Sequence, residues 1–380
     1  MVNSNANALG IIFPNSYDDL VPELVSERLM ASIPFAGRYR MIDFILSSMV
    51  NCGIDNISIP VRNNYYSLMD HLGSGREWDL SRKNGGLNIV PPFAEKSVGF
   101  YKGRIDALAS ILAFLKHQKE KYVVLSDAHI AVNFDFKALL EAHIESDADV
   151  TVAYAEEELP AISDHVQPGA KGFFYSLQLD GNRVTKIKIN PQDPGKQNFS
   201  MNIYVMDREF LIDQVNTAFV RGNIYFERDV LAPNLEKLNV QAFKFDGYYA
   251  RINDMKSYFN ENMKLLDDEN LDGLFAPNPV YTKIRDDNPT RYIPGSKVKN
   301  IMAADGCVIE GEVENSILFR GVKIGKGAKV KNCVLMQDTV VEAGANLEYV
   351  ISDKNVHITA GKELKGTDTM QVFVEKRKVV

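Results

Sequence analysis

The sequence lacks any apolar run long enough to cross a lipid bilayer. Spanning the hydrocarbon core takes roughly 18 or more consecutive apolar residues, and no apolar stretch in this chain of 380 residues approaches that length. The first residues, MVNSNAN, are polar and do not have the pattern of a signal peptide. We therefore expect neither a membrane span nor secretion.

The sequence has no excess of positive charge, and cysteine is scarce. The formal net charge is −7, which weighs against a nucleic-acid-binding surface and against attraction to an anionic membrane. The three cysteines, Cys52, Cys307 and Cys333, have neither the spacing of metal ligands nor the number expected of a disulfide framework. A reducing compartment, the cytoplasm, is the expected location.

The first loop lacks the residues of a phosphate-binding loop. The stretch IIFPNSYDDLVPEL (residues 11–24) lies where an α/β protein places its first strand and first loop. Such loops often carry glycine and a cation, because their backbone N–H groups approach a phosphate. This loop instead contains Pro14, Asn15, Asp18 and Asp19. Either it is a phosphate loop that has lost its function, or it is an ordinary solvated acidic turn.

The features that are present point to two domains, because 380 residues exceed one ordinary hydrophobic core. Up to about residue 266, short apolar runs such as ALGIIF, NISIPV, YVVLSD and NIYVMD alternate with segments of helical periodicity such as IDFILSSMVNCGI. This alternation predicts an α/β domain, residues 1–266, with a mixed, mostly parallel sheet and helices on both faces. The segment 267–299 is rich in proline and acidic residues and is predicted to be a linker.

The last part of the chain, residues 300–380, has a different periodicity. Aliphatic residues recur every six positions in two columns, which are Leu318, Ile324, Val330 and Met336, and Val322, Ala328, Val334 and Val340. This period fits neither a helix nor a simple alternation. It predicts a three-sided parallel β-solenoid with one aliphatic side chain per side pointing inward, and a small β-sandwich is the alternative. Because a solenoid has flat sides and open ends, we expect oligomerisation.

Three segments resemble parts of a known family. IPFAGRYRMIDFILSSMVNCGI (33–54), FYKGRIDAL (100–108) and SMNIYVMD (200–207) are similar to segments of bacterial ADP-glucose pyrophosphorylase, which is glucose-1-phosphate adenylyltransferase. The resemblance implies a Rossmann-like nucleotidyltransferase domain followed by a left-handed parallel β-helix of hexapeptide repeats. It also implies the reaction of ATP with glucose 1-phosphate to give ADP-glucose and pyrophosphate, assisted by Mg²⁺.

The positions that handle charge in this family carry other residues here. The loop arginine aligns with Leu20, and the lysine that follows the loop aligns with Met30. The first and second metal-binding aspartates align with Ala128 and Arg251. The lysine that contacts the sugar phosphate aligns with Asn190. The acidic pair in the loop would also repel a triphosphate, by roughly 1 kcal/mol per charge pair at ~4 Å in water. We therefore predict no catalytic residue and no metal ligand in this chain.

Other positions of the family pattern are retained. The candidates for residual substrate binding are Tyr101, Gly103, Asp106 and Ser200. The candidates for the rim of the active site and for an effector-responsive surface are Arg28, Arg38 and Arg40.

This combination is similar to a branch of the family, the non-catalytic D-type glycogen biosynthesis subunit of Gram-positive bacteria. The resemblance implies a regulatory subunit with no cofactor of its own, which modulates a Mg²⁺-using catalytic partner in a heterotetramer. Two alternatives stay open. One is an active sugar-phosphate nucleotidyltransferase with Asp127 and Asp254 as displaced metal ligands, although neighbouring side chains of a strand face opposite sides. The other is a stand-alone sensor of a sugar phosphate or a nucleotide.

Overall fold

The computed structural model of the protein describes residues 6–91, 101–158 and 174–380. Its N-terminal part alternates strands and helices, as the sequence predicts. The strands are β1 (Ala8–Phe13), β2 (Pro34–Phe35), β3 (Tyr39–Arg40), β4 (Asn56–Pro60), β5 (Gly86–Val90), β6 (Tyr122–Asp127), β7 (Ile130–Val132), β8 (Val150–Glu158), β9 (Tyr175–Asp180), β10 (Arg183–Ile189), β11 (Lys196–Asp207), β12 (Val240–Lys244) and β13 (Tyr249–Arg251). The helices are α1 (Pro22–Val25), α2 (Met41–Asn51), α3 (Tyr66–Leu72), α4 (Arg104–Ser110), α5 (Leu112–His117), α6 (Phe136–Glu145), α7 (Arg208–Val220) and α8 (Met255–Lys264).

Nine of these strands form one sheet in the order β5-β4-β1-β6-β11-β8-β12-β10-β9. β1 pairs in parallel with β4 and β6, β4 with β5, and β8 with β12. β11 is antiparallel to β6 and β8, and β10 is antiparallel to β12 and β9. Following these pairings, seven of the nine strands point one way, and β10 and β11 point the other way. The predicted mixed, mostly parallel sheet is confirmed.

Helices cover both faces of this sheet because the central strands are apolar on both sides. In β1, Ala8 and Ile12 pack with apolar residues of α2, α3 and α6. Leu9 and Ile11 point to the opposite face and pack with α4, α5 and α7. A strand that is buried on both faces is a near-continuous run of apolar residues, and ALGIIF has this composition. The two layers leave the carboxyl ends of β1 and β6 open to a cleft.

The C-terminal part is a parallel β-solenoid, which agrees with the prediction. A helix, α9 (Asp268–Phe275), precedes it. Its strands are β14 (Arg291–Tyr292), β15 (Lys297–Ala303), β16 (Val308–Ile309), β17 (Glu312–Leu318), β18 (Lys323–Ile324), β19 (Lys329–Lys331), β20 (Val334–Leu335), β21 (Val340–Val341), β22 (Asn346–Glu348), β23 (Val350–Ser352), β24 (His357–Ile358), β25 (Glu363–Lys365) and β26 (Val372–Val374).

The strands of the solenoid stack in parallel on three sides. One side is β14-β16-β18-β21-β24. β17 turns a corner, so that its first half pairs with β19 and its second half with β20. Along the side that contains β19 and β22, Lys329 lies 17 positions after Glu312, and Asn346 lies 17 positions after Lys329. A coil of 17 residues is one short of three six-residue repeats.

This coil length changes the inward-facing set in later coils. Leu335, not Met336, follows Leu318 into the interior of the solenoid, and Val341, not Val340, follows Ile324. The expectation that the columns through Val334, Met336 and Val340 continue inward is therefore wrong. A strict period of six cannot hold across coils of 17 residues.

The outward-facing aliphatic residues of one solenoid side dock the two parts of the molecule together. Ile317, Val334 and Ile351 pack in one buried cluster with Phe35 and Tyr258 of the α/β domain. The segment predicted to be a linker, 267–299, contains α9, β14 and the first residues of β15, and Leu274 of α9 belongs to the same cluster. Among the helices in the described ranges, none is long and apolar enough to cross a membrane.

Candidate functional site

A cleft lies at the carboxyl ends of β1 and β6, which is where α/β sheets usually bind ligands. Its walls include residues 13–19, residues 101–104, Arg62, Asp127, Asn202 and Glu227. The volume of the cleft is about 150 Å³, below the roughly 300–1,000 Å³ of typical small-molecule sites. The side chains that narrow it are polar and bonded to one another.

Asp127, at the end of β6, is the centre of this network and is only 3% exposed. It accepts hydrogen bonds from Ser16 Oγ at 2.7 Å and from Asn202 Nδ2 at 2.8 Å. The Arg104 guanidinium donates to both of its oxygens, at 2.8 and 2.9 Å, and also contacts Glu227. A carboxylate has about four acceptor sites. Three donor groups thus form four hydrogen bonds to Asp127 and leave it saturated by the protein's own groups.

Tyr17 fills the side of the cleft next to this network. Its ring stacks on His129, with centroids 4.2 Å apart, and its hydroxyl accepts a hydrogen bond from Asn202 Nδ2 at 2.6 Å. The backbone of Tyr17 has φ 67°, which is uncommon for a residue with a side chain. Burial, followed by the charge of Asp127, raises the pKa of Tyr17, and burial, followed by the charge of Arg251, lowers that of His129. Both groups are neutral near pH 7, and His129 is a packing residue here.

Arg251 in β13 occupies the position that the resemblance gives to the second metal-binding aspartate. It forms a buried ion pair with Glu157, with Nη2 2.7 Å from Oε1, and Nη1 lies 3.3 Å from His129 Nε2. Asp254 is not beside it as a substitute carboxylate. Its side chain instead caps α8 by accepting a hydrogen bond from the backbone N–H of Ser257 at 2.6 Å.

The acidic loop is held by its own hydrogen bonds. Asp18 accepts from the backbone N–H of Met30 at 2.7 Å and from Asn15 Nδ2 at 2.9 Å. Burial raises the pKa of Asp18 to about 6. Met30, where the resemblance places a lysine, is a fully buried core residue. The loop is thus packed onto the domain by a carboxylate, and no cation from its own sequence points into the cleft.

The other positions where a charged residue of the family is replaced lie away from the cleft walls. Ala128 points to the opposite face of the sheet from Asp127 and packs in the core with α2 and α6. Asn190 follows β10, has φ 47°, and accepts a hydrogen bond from the backbone N–H of Phe174 at 2.8 Å. Leu20 ends a short 3₁₀ turn, residues 18–20. None of these three side chains provides a charged group for a phosphate.

The structure brings only part of the retained set together. Tyr101 and Gly103 line the cleft. A Cβ on Gly103 would lie 2.5 Å from the carbonyl oxygen of Ile224, so this position requires glycine. Ser200 lies below the cleft, 3.2 Å from the hydroxyl of Tyr204. Asp106 is outside the cleft wall and accepts from the backbone N–H of Lys102 at 3.0 Å.

Sequence reasoning missed the residues that close the network. Arg104 and Asn202 lie inside the quoted segments FYKGRIDAL and SMNIYVMD, but nothing in their spacing marks them. Asn202 reaches the cleft because β11 has a register shift between Ser200 and Ile203, where Asn202 has φ 56°. Glu227 is the second residue of the π-helical turn 226–231, which has no sequence signal.

A second cavity, of about 190 Å³, lies between the α/β domain and the solenoid and is strongly basic. Its cationic lining residues are Arg38, Arg40, Lys283, Arg285, Arg320 and Lys354. Its acidic lining residue is Asp70, which pairs with Lys283 at 3.1 Å. Burial lowers the pKa of Arg40 to about 10, so its guanidinium is still charged at pH 7. Two of the three predicted effector candidates, Arg38 and Arg40, lie here.

Arg28, the third effector candidate, does not line this cavity. Its guanidinium donates to both oxygens of Asp353, at 2.7 and 2.9 Å, in an ion pair that is 2–3% exposed. Nη1 of Arg28 also donates to the carbonyl oxygen of Leu24 at 3.1 Å. Arg28 therefore joins the α/β domain to the solenoid.

The Mg²⁺ that the resemblance implies does not fit these residues. Mg²⁺ is bound by carboxylate and phosphate oxygens and water. Ala128 supplies no ligand, Arg251 is itself a cation, and the acceptor sites of Asp127 are occupied. In residues 6–91, 101–158 and 174–380, no three His, Cys, Asp or Glu side chains are grouped so that they could hold a metal ion.

Comparison with known proteins assigns both parts of the chain. The nucleotidyl transferase family matches residues 23–268, and the GlmU-like C-terminal hexapeptide family matches residues 285–373. Glycogen biosynthesis protein GlgD of Bacillus subtilis (strain 168) is 33% identical over 98% of this chain and 96% of that protein. GlgD of Geobacillus stearothermophilus is 35% identical over 86% of this chain and 83% of its own length. Glucose-1-phosphate adenylyltransferase of Geobacillus stearothermophilus is 33% identical over 79% and 77%.

Proposed function

This chain belongs to the ADP-glucose pyrophosphorylase family, and from that premise we propose that it is a regulatory, catalytically impaired subunit acting in glycogen biosynthesis. It would act in the cytoplasm with a catalytic glucose-1-phosphate adenylyltransferase subunit, in a heterotetramer. The Mg²⁺ of the reaction would be held by that catalytic partner.

The saturation of Asp127 is the observation that carries this proposal. Attack on the α-phosphorus of ATP requires cations directed at the phosphates and a metal held by carboxylates. In this chain the Arg104 guanidinium is bound to Asp127 and Glu227, and Arg251 is bound to Glu157. The Arg104 guanidinium of the cleft wall is thus neutralised by carboxylates of the same chain, and a triphosphate would have to break buried ion pairs to reach it. Arg62 and Lys102 also line the cleft, and neither forms an ion pair in the described part of the chain.

The basic cavity supports a regulatory role. A cluster of six cations with one lining carboxylate is suited to an anionic metabolite, and the cavity lies between the two domains. An anion bound there contacts both domains at once, so its binding energy can favour one domain arrangement over another. Arg38, which is 42% exposed on its side chain, is the most accessible of the predicted effector residues.

The test is an assay of the chain alone and mixed with the catalytic subunit of the same organism. We expect the chain alone to give no Mg²⁺-dependent ADP-glucose synthesis above background. The mixture should elute as one hetero-oligomer, and its kcat or its response to sugar phosphates should differ from that of the catalytic subunit alone. Arg38→Ala should weaken that response several-fold. Arg82→Ala, at a surface pair with Asp55, is the matched arginine control and should leave it unchanged.

Robust synthesis by the purified chain alone would overturn the proposal. That result would support the displaced-ligand enzyme, in which Asp127→Asn with Asp254→Asn should abolish turnover. Their contacts argue against it, because Asp127 is saturated and Asp254 caps a helix. Failure to co-elute with any catalytic subunit, together with direct binding of a sugar phosphate, would instead support a stand-alone sensor.

A further inference from the structure

Lys354 has an unusual position in the basic cavity. It follows Asp353 directly after β23 and lines the cavity between the two domains. The carboxylate of Asp353 is already bound by Arg28, and it also accepts from the backbone N–H of Lys354 at 2.6 Å. Within the ranges that the structure describes, the Lys354 amine makes no hydrogen bond or ion pair. Lys283, in the same cavity, is by contrast paired with Asp70.

The surroundings of this amine are cationic. Burial, followed by the positive charges of Arg40 and Arg28, holds the pKa of Lys354 well below its usual range, and Asp353 opposes this only in part. Lys376, a further cation that faces it, is paired with Glu27. Compared with an ordinary exposed lysine, Lys354 therefore has a larger fraction of its amine in the unprotonated, nucleophilic form near pH 7. The site also contains a donor that has no acceptor, because Arg320 is 6% exposed and its Nε makes no hydrogen bond in the described part of the chain.

We propose that Lys354 is a carbamylation site, where the amine adds CO₂ and the resulting carbamate is held by the surrounding guanidinium groups. The nitrogen lone pair forms the N–C bond, one C=O electron pair moves onto oxygen, and one proton leaves to solvent. Nothing is oxidised or reduced, and no leaving group is needed. The product carries one negative charge where the cavity has an excess of cations.

Carbon dioxide fits this site better than a larger electrophile. It is small and uncharged, so it enters a cavity of about 190 Å³ without being repelled or having to lose a tight hydration shell. The carbamate that forms is planar and anionic, and guanidinium groups bind such anions through charge-assisted hydrogen bonds. The reaction would lower the charge of the cavity and so couple it to the local CO₂ concentration. This inference does not depend on the proposed regulatory function.

The test uses the full chain equilibrated with ¹³C-labelled bicarbonate and CO₂ near neutral pH. We expect a carbamate signal in the ¹³C NMR spectrum that disappears on degassing. Trapping with a trialkyloxonium salt, followed by peptide mass mapping, should place the alkylated carbamate on Lys354. Occupancy at Lys354 should exceed that at Lys283, because the Lys283 amine is already engaged by Asp70.

Lys354→Arg keeps a cation at the site and should remove the signal, whereas the matched variant Lys283→Arg should retain it. Circular dichroism of both variants checks that each is folded. Inorganic phosphate should reduce labelling of the wild-type chain by occupying the same guanidinium groups. Labelling at Lys354 that is no greater than at Lys283, or a signal that persists in Lys354→Arg, would overturn the proposal.

Discussion

At the scale of the residue, Asp127 and Ala128 decide how the cleft differs from an active site. Alternation along a strand correctly predicts that the two side chains face opposite sides. It cannot predict that the cleft lies on the side of Asp127, because the partners Arg104, Asn202 and Glu227 come from distant parts of the chain. Local spacing therefore reveals which charges are absent from the expected positions. The ion pairs that replace them depend on tertiary structure.

Asp18 provides a test of the buried acidic loop. Burial raises the pKa of this carboxyl from its usual value near 3.8 to about 6 in the folded state. The folded state therefore binds more protons between these pH values, so the free energy of unfolding should fall as pH rises from about 4 to 6. In Asp18→Asn this fall should be smaller by about 1 to 2 kcal/mol, after allowance for solvent screening.

The measurement is urea unfolding at several pH values across that window. Asp19→Asn, at the exposed neighbouring position, removes a charge of the same sign and serves as the control. An unchanged pH slope in Asp18→Asn would show that the ionised form of this carboxylate is as well accommodated as the neutral form.

At the scale of the element, periodicity predicts the strands well and their exact register poorly. ALGIIF and YVVLSD form the central strands β1 and β6, and the solenoid is where the six-residue columns place it. The columns fail after Val330 because the coil has 17 residues, so Leu335 replaces Met336 inside. Both leucine and methionine suit a buried position, so composition alone could not distinguish them. Between β19 and β20 the backbone is left-handed at Asn332, where φ is 51°.

Gly311 tests the close approach of successive coils. A Cβ at this position would lie 2.4 Å from the carbonyl oxygen of Ala328 and 2.8 Å from that of Gly325. Because both contacts are to backbone, Gly311→Ala should separate two coils and cost about 1 to 3 kcal/mol of stability. Hydrogen exchange should show the largest loss of protection in the two coils that meet there, since repeats contact mainly their neighbours.

The matched control is Gly327→Asn. Gly327 has φ 71° with no atom within 4 Å of a Cβ, and asparagine tolerates that backbone conformation. We expect little change in stability from this substitution. Equal losses in the two variants would contradict the contact between coils as the reason that position 311 requires glycine.

At the scale of the whole molecule, the two domains share one apolar interface, which the sequence does not reveal. Ile317, Val334 and Ile351 have the pattern of solenoid core residues, yet they point outward against Phe35 and Tyr258. Two-domain organisation follows from composition and periodicity, but the contact between the domains depends on which solenoid side is left apolar. The basic cavity is a consequence of this docking, because Arg38 and Arg40 come from one domain and Arg320 and Lys354 from the other.

The Arg28–Asp353 ion pair should be the most sensitive polar contact of this interface. Arg28→Met would leave a buried carboxylate without its partner, which typically costs about 3 to 5 kcal/mol. The double variant Arg28→Met with Asp353→Leu removes both charges and should recover most of that loss. Lys376→Met is the matched control, since it breaks a more exposed interdomain pair with Glu27 and should cost less than about 1 kcal/mol. Denaturant unfolding of the four proteins measures these differences. A loss in Arg28→Met no larger than that in Lys376→Met would show that the buried ion pair adds little to the stability of this interface.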